Sequence, residues 1–465
     1  MTNEIDSPPT ASEIDSIIYE NDSFIINWSQ NDDDDFQSYK LYESTSADSM
    51  VSKALIFESF ESTVTSFSKA VDDEQCLYYS LVVMDYWGLE SESNVVKGDS
   101  HDWFIKNLGG TGSDDGRSFI VTDDGYAITG VKSINGTDNA WLLKTDINGQ
   151  VLSETTYGQN MRDYGNSIAS TNDGGFIITG WRVVDNERKV LLIKTDSNGN
   201  EIWSRTHGLC NVDTETNFNS GLQTLDGGYI ACGVSDPVVG DWANDFTLIK
   251  TDNNGELIWT NSYGNDDYDD RPFKIIEIDD GSFIVTGFTN LSGNAYDGNG
   301  SNEIMLTKID SDGNQVWLNT YGGGIGYSVI DTQDGGFIIA GSQGLLIKTD
   351  LEGNEEWNQT FGYGEDNFVR DVYETQDNGY IITGYIELQN GYSKLLIIKT
   401  DQSGLEEWHQ IIDENTTNHS RGYSIKQIAD EKYVLTGVIW QNNNSSSDLF
   451  FIKTDSEGNT ACSND

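Results

Sequence analysis

The sequence predicts an all-β chain, most of it a repeat protein, on three observations. Close counterparts of LLIKTDSNGNEIWSRTHG (191–208) recur from about residue 109 onward, with aligned aspartates at Asp146, Asp196, Asp252, Asp310, Asp350, Asp401 and Asp455, 40–58 residues apart. Each aspartate has a lysine two residues before it, from Lys144 to Lys453, and a glycine three residues after it, from Gly149 to Gly458. Glycine is abundant, at 48 residues, and proline scarce, at 4, which fits many tight turns between short strands. Four short strands per unit at even spacing predict a β-propeller.

The second copy shows how each element is justified. NSIAST leads through the turn NDGG to FIITGWRV, then a variable loop, then KVLLIKT, the turn DSNG and EIWSRTH. Glycine suits the left-handed position of both turns, and Asp or Asn before it bonds the local backbone. A tryptophan four residues after the turn glycine (Trp203, Trp259, Trp317, Trp357, Trp408) falls on the outer strand, where its ring can wedge against the neighbouring unit. The seventh copy has Cys462 at that position. The missing outer strand is expected at the other end, in HDWFIKNLGG (101–110), with Trp103 as its tryptophan. Pairing 101–108 with the C-terminal blade would close seven blades and protect the sheet edges. The propeller is thus assigned to 99–465, after a linker at 95–101.

Residues 1–7 read as a tail. Residues 8–98 lack the repeat and alternate as strands, with SFIINW (23–28), YKLY (39–42) and LYYSLVVMD (77–85). Pro8 and Pro9, Trp28, Phe36 with Tyr39, and YYSLVVMDYWGLESES follow the order of a fibronectin type III domain, which this segment resembles. The resemblance implies a seven-stranded sandwich, a buried tyrosine at Tyr78, a turn at Gly88, and a spacer or protein-binding role outside the cell. In the repeats, the D-x-x-G-x-x-x-W spacing is similar to the Trp-docking repeat of quinoprotein-like propellers, one residue shorter between Asp and Gly. The whole DGG–ITG–KTD–W string resembles bacterial multi-repeat propellers of unknown function.

The chain carries 77 acidic and 26 basic residues, a formal charge of −51. Such a surface repels nucleic-acid backbones and anionic lipids, and favours cations, neutral glycans or basic proteins as partners. No apolar run is long enough to span a membrane. MTNEIDSPPT lacks the features of a signal peptide, so the protein is expected to be either cytosolic or a mature form whose leader is missing from this chain. Four cysteines show neither metal spacing nor a dense disulfide pattern, and a Cys210–Cys232 bridge stays open.

The tight turns share one face, and the variable connections share the other, where binding chemistry is expected. Five of the eight arginines (Arg117, Arg162, Arg271, Arg370, Arg421) are expected in the short segments leading into innermost strands, near the mouth of the central channel. A ring of guanidiniums suits carboxylate or sulfate groups on an acidic glycan or peptide. The competing expectation is pairing with nearby acids: Asp114 and Asp115, Asp163, Asp269 and Asp270, Asp366 and Asp371. Tyr164, Trp242, Tyr268 and Tyr327 are candidates for stacking on sugars, against ordinary loop packing.

The repeated Lys and Asp are expected as inter-turn ion pairs or backbone caps. Calcium at DSDG (310–313) is the lesser reading, because the turn offers few oxygen ligands; no cofactor is otherwise expected. NDDDD (31–35) is read as a solvated loop. A general acid–base pair would draw on His207 and His419, but no catalytic motif is present. The expected function is therefore non-catalytic binding or adhesion at the cell surface or outside the cell, through a glycan or protein ligand on the variable-loop face. The alternative is a lyase or glycoside hydrolase acting on acidic polysaccharide.

Overall fold

The computed structural model describes residues 7–20, 22–46, 53–71, 75–101, 103–110, 112–158, 162–185, 187–208, 217–235, 245–264, 269–290, 302–364, 366–389, 391–412, 417–440 and 446–460. The described chain is all-β apart from one 3-10 turn at Ala429–Glu431. It divides into two compact units that meet in sequence at Trp103/Phe104.

In the first unit, strands Ile14–Glu20, Ser23–Trp28 and Ser66–Ala70 form one antiparallel sheet. A second is ordered Ala54–Ser59, Phe36–Ser44, Cys76–Asp85, Glu90–Glu92. Their inner faces share a core that includes Phe24, Ile26, Trp28, Tyr39, Leu41, Tyr79, Leu81 and Val83. Alternate residues of a strand point to opposite faces, so Tyr79 joins this core, whereas Tyr78, although itself buried, does not. Tyr78 is thus buried as expected, and Tyr79 is the tyrosine that enters the shared core. The stretch 95–101, expected as a linker, contributes strand Val96–Asp99, paired with Cys76–Asp85. The acidic run is a loop: Asp33 accepts from the Thr10 backbone N–H at 2.6 Å, and that bond holds its carboxyl below the usual range.

The second unit is a β-propeller of repeated four-stranded antiparallel sheets, seven among the described residues. Sheet 1 runs Asp114–Thr122, Gly125–Ile134, Thr137–Thr145, Val151–Tyr157. Sheets 2 to 6 repeat this order, with first strands Asp163–Ser170, Asn217–Gln223, Arg271–Glu277, Gly326–Asp331 and Asp366–Glu374. Sheet 7 runs His419–Gln427, Tyr433–Trp440, Ser447–Thr454 and takes Phe104–Leu108 as its fourth strand. Successive sheets share apolar cores; the one between sheets 1 and 2 includes Leu142, Tyr157, Ile178 and Ile193. Each fully buried side chain of this kind contributes about 1.5–3 kcal/mol before chain entropy opposes it.

The repeated phrase has a mechanical explanation. Lys194, Lys250, Lys308 and Lys399 reach across to Asp173, Asp226, Asp280 and Asp377 of the preceding hairpin turn at 2.8–2.9 Å. The aspartate after each lysine caps its own turn: Asp196 Oδ1 accepts from the backbone N–H groups of Asn198 and Asn200. Asp310 does the same for Asp312 and Asn314. The outer-strand tryptophan wedges against the turn glycine of the next sheet, since a Cβ on Gly404 would lie 2.4 Å from Trp357 and one on Gly255 2.7 Å from Trp203. In sheet 7 this position, paired with Lys453, belongs to Phe104, which packs on Gly149. Trp103, expected there, stacks on His101 at 3.6 Å instead.

Candidate functional site

Each first strand carries one β-bulge at the same place. The pairing slips between Gly116 and Ser118, Gly165 and Ser167, Phe218 and Ser220, and Pro272 and Lys274. It slips again between Gly326 and Ser328, Val369 and Asp371, and Gly422 and Ser424. A bulge leaves its extra residue unpaired and re-aims its side chain. All seven bulged residues (Arg117, Asn166, Asn219, Phe273, Tyr327, Arg370 and Tyr423) line one cavity of about 500 Å³, joined by Tyr164, Trp181 and Arg188. The bulges lie toward the strand ends served by the second-to-third-strand connections.

Glycine makes this backbone course possible. A Cβ on Gly116, Gly165, Gly326 or Gly422 would come within 2.6 Å of the threonine hydroxyl of the preceding sheet: Thr436, Thr129, Thr286 and Thr383 respectively. Below the cavity the residues after the bulges knit the first strands together. Asp371 accepts from Ser328 Oγ at 2.7 Å, Ser424 Oγ at 2.9 Å and the Ile425 N–H at 3.0 Å.

The guanidiniums are held on aromatic supports. Tyr164 stacks on Trp181 at 3.9 Å; Arg117 covers the Tyr164 ring at 5.3 Å and Arg188 the Trp181 ring at 4.6 Å. Arg370 lies 3.9 Å from the centre of the Tyr327 ring. Cation–π contact of this kind fixes where each guanidinium sits. Arg117 also donates to Asn166 and lies 3.5 Å from Asp115. The Nε of Arg370 is buried without a protein acceptor. Burial, with Asp138 accepting its hydrogen bond, pushes the Tyr164 phenol up to about 12, so it stays protonated at neutral pH.

Of the residues singled out from sequence, Arg117, Tyr164, Tyr327 and Arg370 meet at this cavity. The other described candidates are not among its lining residues. Arg271 pairs with Asp269 at 2.9 Å, and exposed Arg162 leaves Asp163 to a two-pronged bond from Arg182. Arg421 covers the Tyr385 ring at 4.4 Å and donates to Ser393 Oγ at 3.1 Å. Pairing with nearby acids thus holds for Arg117 and Arg271 and fails for Arg370, whose neighbour Asp371 is taken up by serines. Trp242 and Tyr268 lie outside the described residues. Asn166, Trp181, Arg188, Asn219, Phe273 and Tyr423 went unnoticed in the sequence, although G-x-S at 116–118, 165–167, 326–328 and 422–424 marks four of the bulges.

His207 and His419 are occupied elsewhere. His207 Nε2 donates to the Gly255 carbonyl at 3.0 Å, and His419 Nδ1 accepts the Ser393 N–H at 3.1 Å. Burial lowers the proton affinity of both, and at His419 the charges of Arg421 and Lys394 add to it. Cys232 is a buried free thiol, so the bridge to Cys210 left open by the sequence is absent; Cys210 itself lies outside the described residues. Cys76 is disulfide-bonded, which withdraws its sulfur from the grouping with Asp99 and His101 as a metal ligand. Among the described residues no helix is long and apolar enough to cross a membrane.

No family model and no curated protein matches the chain. Similar solved structures include YCF48 bound to D1 peptide, with TM-score 0.45 and 12% identity over 76% of this chain and 97% of that one. Another is the quinohemoprotein alcohol dehydrogenase ADHIIG from Pseudomonas putida HK5, with TM-score 0.46 and 10% identity over 76% of each chain. BamB from Moraxella catarrhalis has TM-score 0.39 and 11% identity over 80% of this chain and 91% of that one.

Proposed function

We propose that this chain is a non-catalytic binding protein of the cell surface or extracellular space, taking an acidic ligand into the bulge-lined cavity. One observation carries the reading. In a chain of net charge −51, the charged residues lining the cavity are three arginines, and among the described residues no carboxylate or histidine lines it. A recess with guanidiniums held on aromatic rings suits a carboxylate or sulfate, and such recognition needs no cofactor.

The scaffold reading goes with it: a fibronectin type III-like sandwich at 8–98, followed by a seven-bladed propeller at 99–465, closed by the pairing of Phe104–Leu108 with Ser447–Thr454. Two observations support closure. Seven sheets in an open row would share six cores, yet a seventh core joins Phe119, Trp141 and Leu143 of sheet 1 to Phe104, Leu449 and Phe451 of sheet 7. Gly116 of sheet 1 also meets Thr436 of sheet 7, as Gly165 meets Thr129. The Cys76 disulfide supports an oxidising compartment.

Calorimetric titration with trigalacturonate and with a tri-aspartate peptide tests the function. Saturable binding of an acidic probe, lost in the Arg117→Ala/Arg370→Ala variant, is expected. Binding indifferent to those arginines contradicts it, and so does a failure of every acidic probe to bind, small apolar carboxylates included. The enzyme alternative would need turnover of an acidic polysaccharide that disappears with His419→Ala. A hydrolase at this cavity lacks the required pair of carboxylates.

A further inference from the structure

The cavity is polarised, and we infer from this that its ligand is an amphipathic acid: a carboxylate joined directly to an apolar or aromatic group. The inference rests on the anion-binding reading above and narrows it.

The cationic side comes from Arg117 on sheet 1, Arg188 reaching in from sheet 2, and Arg370 on sheet 6. Tyr423 of sheet 7 lies among these charges. Burial pushes its phenol up, Asp115 adds to that, and the guanidiniums of Arg117, Arg370 and Arg421 oppose it. The other side is formed by sheets 3 to 5 and carries no formal charge. There one N–H of the Asn219 amide donates to the Pro272 carbonyl at 2.9 Å. Phe273 packs edge-on to Tyr327 at 5.2 Å and lies 6.4 Å from Phe288.

A ligand must satisfy both sides at once. An acid group belongs against the guanidiniums, and an apolar group against Phe273. A uronate sugar meets the first demand and fails the second, because its ring hydroxyls would lie against the Phe273 ring, which offers them no hydrogen-bond partner. Three of the five aromatic rings that line the cavity are already covered by guanidiniums. The Tyr164–Trp181 stack is covered at both ends by Arg117 and Arg188, and Tyr327 is covered by Arg370. The volume of about 500 Å³ suits a short chain end or a small acid and not a length of polymer. Two sources share the required chemistry, the C-terminus of a peptide ending in an apolar residue and a free aromatic acid.

The test is calorimetric titration of the whole chain with Gly-Gly-Phe, its C-terminal amide, Gly-Gly-Gly, phenylacetate and trigalacturonate. Gly-Gly-Phe is expected to bind, with the amide and Gly-Gly-Gly each about tenfold weaker or worse, since one loses the carboxylate and the other the apolar group. Phenylacetate binding as well as Gly-Gly-Phe assigns the site to free acids; binding at least tenfold weaker assigns it to peptide ends. Phe273→Ser should erase the difference between Gly-Gly-Phe and Gly-Gly-Gly while the melting temperature stays within a few degrees. An amide that binds as well as the acid, or trigalacturonate binding more tightly than both Gly-Gly-Phe and phenylacetate, overturns the inference. In the trigalacturonate case the acidic-ligand reading survives; if no probe binds, both fall.

Discussion

The carbonyl oxygen of Tyr164 lies 1.7 Å from the point a Cβ on Gly180 would occupy. The bulge that aims Asn166 into the cavity rotates this carbonyl toward the second strand, and only a residue without a side chain can stand opposite it. The same relation joins Gly130 to Asp115, Gly384 to Phe368 and Gly437 to Arg421. The glycine repeated in ITG is therefore coupled to the shape of the cavity.

Gly180→Ala should accordingly cost about 3 kcal/mol or more, because the obstruction is backbone and not a movable side chain. Urea denaturation measures it. A loss under about 1 kcal/mol would mean that the bulge relaxes freely, and that the cavity residues are not held by it.

Phe104→Ala should destabilise the propeller by about 3 kcal/mol, since Phe104 is buried against Phe451 and Gly149. Phe104→Trp should be tolerated, because tryptophan fills the equivalent place in sheets 2 to 6. Trp103→Ala should leave the propeller transition where it is. Differential scanning calorimetry of the three variants distinguishes Phe104 from Trp103 as the residue that completes sheet 7.

The hairpin-tip pairs set an acid limit. The hydrogen bond from the Lys308 ammonium holds the Asp280 carboxyl down at about 2. At Asp226 burial pushes the carboxyl up, but hydrogen bonds from Lys250 and Thr224 outweigh it and bring the value to about 2 as well. A carboxylate with a lowered value stabilises the fold fully above its unfolded value of about 4, and this contribution fades as pH falls toward 2. The urea midpoint of wild type should therefore exceed that of Asp226→Asn/Asp280→Asn at pH 6, and the gap should close between pH 4 and pH 2. A gap that persists at pH 2 would point to packing instead of charge.

Arg370→Ala and Arg117→Ala should each weaken binding of an acidic probe by about tenfold or more, and Arg370→Lys should not restore it, because a lysine cannot reproduce a planar guanidinium lying on Tyr327. Arg271→Ala should leave affinity unchanged, as its charge is committed to Asp269. Raising salt should weaken binding modestly, because the site is recessed.

Much of the scaffold was legible in the sequence because it repeats. The KTD lysines, the turn glycines and the wedged tryptophans recur in fixed places, and so does the need for a strand from the far end of the chain. What escaped was register. A bulge adds one residue that a strict two-residue alternation does not show, so Asn166, Phe273 and Tyr423 were hidden while arginines attracted notice by charge alone. The same one-residue ambiguity moved the fourth-strand aromatic of sheet 7 from Trp103 to Phe104, since a single step turns a strand side chain to the opposite face. Arg188 was invisible for another reason: it reaches the cavity from the third strand, by resting on Trp181.

The most direct measurement is the anomalous difference map of a crystal soaked in 4-iodobenzoate, whose iodine reports position and whose carboxylate is the group to be recognised. The expected result is an iodine peak in the bulge-lined cavity on the Phe273 side, with the carboxylate against Arg117 or Arg370. Iodine peaks confined to other surfaces, with this cavity empty at a concentration that saturates binding in solution, would contradict it.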